Sequence, residues 1–263
     1  MSNPGWRGFW RILRRKHFSP FKTYVNRDRR TVVILNPKVG TKSFRQALTA
    51  GMRAVFGVTD PSRGRYRLFK KAREFQFAPL RDYAHAFRYP GEYQFFCFVR
   101  NPYARLRSAW QNKFAYGHVS GYSRSIRRRE LGRLRRFAAT AGLAGAIKGA
   151  AIPFETFLAY VESQPAGKRD HHWDDQYHVL LMDEVRYERC FRMEGEFTPG
   201  MRQIFERIGL VGPAMEEILG TQRNVSPKAE APVYSAALAA RVRVLYARDF
   251  LTFGYDVESW RGL

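Results

Sequence analysis

The sequence predicts an α/β protein, a doubly wound parallel sheet flanked by helices. Three observations carry this reading. The run Thr31-Val-Val-Ile-Leu35 is short, β-branched and apolar, the composition of a strand buried on both faces of a parallel sheet. A second run, Gln94-Phe-Phe-Cys-Phe-Val99, leads through Arg100-Asn101-Pro102 into an apolar stripe at helical spacing. Strand and helix patterns then alternate along the chain, which argues against any all-β arrangement.

After the first strand, Asn36-Pro37-Lys38-Val39-Gly40 reads as a turn. Phe44, Ala47, Leu48, Met52 and Val55 then recur at helical spacing and predict an amphipathic helix over residues 41–56. After the second strand, Asn101 is placed to cap a helix that starts at Pro102, whose missing N–H would have been unpaired there anyway. Tyr103, Leu106, Ala109, Trp110 and Phe114 form its apolar stripe, which leaves Arg105 and Ser108 on the other side, free to face a ligand. Further helices are predicted over residues 127–148, 154–162, 201–208 and 235–250, and a third strand over 188–193. Cys97 and Cys190 fall inside strand-like runs, where a thiol behaves as a small core hydrophobe, and both are read as reduced.

The chain has 263 residues, 45% of them hydrophobic and 26% charged, enough for a full core. That excludes disorder as its main state. With 46 Lys+Arg against 23 Asp+Glu, the formal net charge of +23 implies a polyanionic partner: nucleic acid, acidic lipid, acidic glycan or a multiply phosphorylated cofactor. No stretch approaches the roughly 18 apolar residues of a spanning helix, and the start carries no secretory pattern, so a soluble, cytoplasmic protein is expected. Without a repeat or a Pro/Gly/Ser-rich seam, the simplest partition is a basic N-terminal extension over residues 1–30 and a single domain over 31–263.

The segment Asn36-Pro-Lys-Val-Gly-Thr-Lys-Ser43 leaves a strand and opens a helix. Unpaired N–H groups at a helix start bind anions, with Lys38 and Lys42 adding charge and Thr41 and Ser43 adding hydroxyls. The loop is P-loop-like but is no Walker loop, since Thr41 stands between Gly40 and Lys42 and the first glycine is missing. An ordinary β-to-α turn with solvated lysines is the alternative. Arg100-Asn-Pro-Tyr-Ala-Arg-Leu-Arg-Ser108 repeats the arrangement: Arg100 offers a planar fork for phosphate oxygens and Ser108 a hydroxyl donor. Two anion sites at neighbouring strand ends suit a ligand with two separated phosphates.

These two segments resemble the 5′-phosphosulfate loop and the 3′-phosphate site of carbohydrate sulfotransferases that use 3′-phosphoadenosine 5′-phosphosulfate (PAPS). The resemblance continues in His172-Trp173-x-x-Gln176, Arg192-Met-Glu194 and Tyr246-Ala-Arg-Asp-Phe-Leu-Thr-Phe-Gly-Tyr255. It implies that Lys38, Gly40, Thr41, Lys42 and Ser43 take the 5′-phosphosulfate and that Arg100 and Ser108 take the 3′-phosphate. Asn224 and Ser226 would come from a loop over the nucleotide. Relatives often carry small or hydroxyl residues where Lys42 stands.

Sulfuryl transfer by such enzymes builds negative charge on the bridging oxygen of the leaving phosphate, so a lysine held beside it would stabilise the transition state, and Lys38 is the candidate that the resemblance implies. A base must take the proton of the acceptor hydroxyl, and His85 and His172 both stand open for that role. No metal is expected, because the leaving group is already good and His171-His172 beside Asp174 and Asp175 fits no familiar site.

The partner expected is a carbohydrate or glycolipid acceptor, which an acidic glycan would match through the arginine-rich run over residues 124–136; a solvated helix face explains that run equally well. Trp6, Phe9, Trp10 and Leu13 recur at helical spacing among arginines, a pattern suited to peripheral contact with an anionic membrane, on its inner face, or to packing on the domain. A nucleic-acid-binding protein and a small-molecule phosphotransferase are the alternative functions. No nucleic-acid-binding signature is present, so nucleic acid is not expected as a partner.

Overall fold

The computed structural model describes residues 4–19, 22–56, 80–115, 124–147, 149, 151–221 and 233–263. In chain order its principal elements are α1 (Pro4–Leu13), β1 (Thr23–Asn26), β2 (Thr31–Ile34), α2 (Thr41–Phe56), α3 (Leu80–Arg88), β3 (Gln94–Val99), α4 (Pro102–Trp110), α5 (Arg124–Thr140), α6 (Phe154–Glu162), α7 (Gln176–Val179), β4 (Arg189–Arg192), α8 (Met193–Arg207), α9 (Pro213–Gly220), α10 (Ala236–Leu245) and α11 (Ala247–Phe253). The chain forms two compact units, Met1–Arg100 with Gln176–Val225 and Asn101–Asp175 with Ser226–Leu263.

The first unit holds the sheet, in the order β1-β2-β3-β4. β2, β3 and β4 are parallel, as expected, with Val33 beside Phe96 and Cys97 beside Cys190. Both thiols are free. β1 lies in the segment that the sequence reads as an extension, yet it pairs antiparallel with β2, Thr23 opposite Ile34. A tight connection makes this possible: the Asn26 side-chain oxygen accepts from Arg29 N at 2.9 Å.

Alternation places successive strand residues on opposite faces of this sheet. On one face Val33, Phe96, Phe98 and Phe191 pack with Phe44 and Leu48 of α2 and with Ile204 and Phe205 of α8. On the other, Phe95 meets Phe87 of α3 and Tyr187. α1 turns Phe9 and Ile12 into the protein, while Trp10 stays 54% exposed. Of the stripe offered for a membrane, Phe9 is thereby used for packing and Trp10 is not, and Arg15 is tied to Glu184.

The second unit has its own core, centred on Trp173, Phe157, Leu106 and Tyr246. Asn101 caps α4 as predicted, accepting from Tyr103 N at 3.0 Å and Ala104 N at 3.3 Å. α5 ends at Thr140, short of the predicted residue 148. Gly142 adopts φ 71° and Leu143 N donates to Ala138 O, a left-handed C-terminal cap that stops the helix. The long helix predicted over residues 235–250 breaks into α10 and α11 at Tyr246, where φ is −119°. The Tyr246 hydroxyl donates to Trp173 O at 2.5 Å, which ties the break to the neighbouring loop.

Candidate functional site

The first unit presents the loop 36–43 at the carboxyl end of β2 and Arg100 at the carboxyl end of β3, where ligands bind in parallel α/β sheets. Asn36 is fully buried. The Thr41 hydroxyl donates to Asn36 O at 2.6 Å, and Phe44 N donates to Gly40 O as α2 begins. The Thr41 hydroxyl thereby braces the loop across its base. Lys38 and Gly40 are both left-handed, with φ 70° and 77°. Alternating backbone hand of this kind turns successive N–H groups to one side and makes an anion-binding concavity. Gly40 is required for a second reason: a Cβ there would lie 2.5 Å from Cζ of Phe197.

Arg100 joins this loop directly. Its Nη1 donates to Lys38 O at 3.1 Å. Its main chain is gripped by Gln176, whose Oε1 accepts from Arg100 N at 2.9 Å and whose Nε2 donates to Arg100 O at 2.8 Å. Gln176 Oε1 also accepts from Asn36 Nδ2 at 2.8 Å. Lys38, Gly40, Thr41, Lys42, Ser43 and Arg100 are therefore brought into one unit around two strand ends. Lys42 is exposed and Ser43 buried. Asn36 and Gln176 were not assigned roles from the sequence, although Gln176 closes the His172-Trp-x-x-Gln176 pattern.

His85 is displaced from this site. Its Nδ1 contacts the Tyr93 hydroxyl at 3.0 Å and Arg30 Nη1 at 3.4 Å. Tyr93 precedes β3, whereas Arg100 follows it, so at about 3.3 Å per residue roughly 20 Å of strand separates His85 from the anion loops. His85, offered by the sequence as a base, is thus set beside the start of β3 and not beside the strand ends that carry Lys38 and Arg100. Asn224 and Ser226 lie outside the described residues.

The second unit carries Ser108, buried on α4, and His172. The sequence left Arg105 free for a ligand, but the structure buries it at 2% exposure. Its fork donates to Asp174 O at 2.6 Å and His171 O at 2.9 Å, so it holds the 171–174 loop in place. Burial lowers the Arg105 pKa, opposed by Asp249 and other neighbouring groups. Trp173 packs against the rings of Phe114 and Phe157, which also contact each other.

On this support the Asp170 carboxylate accepts from His172 Nδ1 at 2.6 Å and from His172 N at 2.9 Å. Burial pushes the Asp170 carboxyl up, but the His172 bonds and the charges of His172 and His171 outweigh it, and the group lies well below the usual carboxylate range. When the His172 ring is neutral, a carboxylate at Nδ1 favours the tautomer with the hydrogen on Nδ1 and Nε2 as the basic nitrogen. Lys113 sits in a π-helical turn, Gln111–Ala115, and burial pushes its amine down to about 8 against the attraction of Asp170. Neither Asp170 nor Lys113 was picked out from the sequence; Asp170, two residues before His172, was the available signal.

The described residues include no helix long and apolar enough to cross a membrane. The sequence pattern described as "Sulfotransferase family" matches residues 25–256. Among curated proteins the chain is similar to carbohydrate sulfotransferase 11 of Mus musculus, 25% identical over 175 residues, 64% of this chain and 48% of the relative. It is also similar to carbohydrate sulfotransferase 14 of Homo sapiens, 30% identical over 153 residues, 58% of this chain and 37% of the relative. The chain thus spans about half the length of the first relative and 37% of the second. No solved structure matches the chain. The match across residues 25–256, which takes in the loop 36–43, Arg100 and the His172 loop, makes the chain a member of the sulfotransferase family.

Proposed function

We propose that this protein transfers the sulfuryl group of PAPS to a hydroxyl of a carbohydrate or glycolipid. The observation that carries the reading is the pair of anion loops at neighbouring parallel strand ends, joined by the Arg100–Lys38 bond. Such a pair suits a nucleotide with phosphate groups at both its 3′ and 5′ positions. The names of the relatives support a carbohydrate as acceptor.

In this reading the acceptor oxygen attacks sulfur in line as the bond from sulfur to the bridging phosphate oxygen breaks. The electron pair leaves with adenosine 3′,5′-bisphosphate. Lys38 neutralises the charge that grows on that oxygen, and Arg100 with Ser108 binds the 3′-phosphate in ground and transition states alike. His172 Nε2 takes the acceptor proton, and Asp170 holds its ring and balances the imidazolium charge. The test is transfer of radiolabelled sulfuryl from PAPS to a panel of glycans and glycolipids. Labelled product that requires PAPS is the expected result; its absence across the panel, together with equal binding of adenosine 3′,5′-bisphosphate and adenosine 5′-monophosphate, removes the reading.

A further inference from the structure

We infer that Gln176 is a positioning residue that sets the register between the two anion loops; this rests on the nucleotide reading above. Its side chain is fully buried and makes three hydrogen bonds that no helix or sheet ladder supplies. Arg100 N–H requires an acceptor and Arg100 C=O a donor, which fixes the orientation of the Gln176 amide. Oε1 is thereby turned to Asn36 Nδ2, at the root of the other loop. The Asn36 amide is oriented in turn, and its Nδ2 faces Phe98 O at 3.4 Å. One amide therefore locks the main chain of Arg100 to the residue from which the Lys38 loop departs.

The consequence is specific. Arg100 reaches Lys38 O from a main chain held by Gln176, so a shift of that main chain moves both the fork that takes one phosphate and the loop that takes the other. A ligand that spans both sites feels the register, whereas a ligand that uses the loop alone feels it far less.

Gln176→Glu tests this with a built-in reversal. A neutral carboxylic acid keeps both functions, accepting through its carbonyl and donating through its hydroxyl to Arg100 O; the carboxylate can only accept and meets that carbonyl with like charge. The measured quantity is the ratio of affinities for adenosine 3′,5′-bisphosphate and adenosine 5′-monophosphate, taken relative to the unsubstituted protein at each pH. At about pH 8 the variant should lose roughly tenfold of this preference, and at about pH 5.5 it should recover most of it. A residue that merely stabilises the fold would lower the melting temperature and leave the ratio alone, so an unchanged ratio at both pH values overturns the proposal. If the glutamate variant does not fold, Asn36→Ala cuts the tie to the Lys38 loop and carries the same test: a reduced preference supports the register, an unchanged one refutes it. An unsubstituted protein that shows no preference for the bisphosphate would instead sink the nucleotide reading itself.

Discussion

Arg100 donates from Nη1 to the main-chain oxygen of Lys38 at 3.1 Å, so the cation assigned to one phosphate also holds the loop assigned to the other. Lys38 is a non-glycine residue at φ 70°, a conformation that costs free energy and persists only where its surroundings hold it. The Arg100 fork is one such restraint.

Replacing Arg100 with Ala should accordingly weaken adenosine 3′,5′-bisphosphate by roughly 10- to 100-fold, the worth of charge-assisted bonds to a phosphate. Arg100→Lys should recover little, because an ammonium lacks the planar fork that directs separate N–H groups to a phosphate and to Lys38 O. Titration calorimetry decides it; unchanged affinity in the alanine variant would remove Arg100 from the nucleotide site.

Gly40 offers a test of the loop's packing. An added Cβ would collide with the Phe197 ring at 2.5 Å, and φ 77° is unfavourable for any side chain. Gly40→Ala should cost about 2 kcal/mol or more in urea unfolding. Combining it with Phe197→Leu should return only the part due to the collision, since the backbone cost persists. Full recovery in the double variant would show that backbone hand at this position is unimportant.

How far the sequence reached is explained by these contacts. The apolar runs of β2 and β3, the spacing on α2 and the Asn101 cap are local signals, and local signals are readable. β1 escaped because Thr23-Tyr-Val-Asn26 is too short to show alternation and gains its place from pairing with β2. Arg105 was misread because helical spacing says which side of α4 it occupies but not that carbonyls of residues 171 and 174 wait there. Asn36 and Gln176 are separated by 140 positions, and no window along the chain connects them. The place of His85 was hidden for the same reason: its position in sequence, between the two motifs, says nothing of which end of β3 it faces.

Lys113 supplies a pH dependence. Its amine is pushed down to about 8 by burial, below the unfolded value of about 10.4. Between those values the unfolded chain binds more protons than the native one, so native stability rises with pH across that window and is lowest below about 8, where the buried ammonium must be maintained. Urea midpoints at about pH 7.5 and about pH 9.5 should show this rise, and Lys113→Met should lose it relative to the unsubstituted protein. An identical rise in both proteins would assign it to other groups.

The Asp170–His172 pair separates the two histidines raised by the sequence. If His172 is the base of the reading proposed above, His172→Ala should lower turnover by about 10²- to 10⁴-fold without changing affinity for adenosine 3′,5′-bisphosphate. Asp170→Asn is the sharper variant. An asparagine amide in place of the carboxylate can donate towards Nδ1, which moves the ring hydrogen to Nε2 and blocks the nitrogen that must accept, so turnover should fall although His172 is still present. His85→Ala, at the far end of β3, should leave turnover nearly intact and disturb only the contacts with Tyr93 and Arg30. Initial rates with saturating PAPS and a sulfatable glycan, measured beside nucleotide affinity for all three variants, distinguish the roles. A large loss in His85→Ala with no loss in His172→Ala would reverse the assignment.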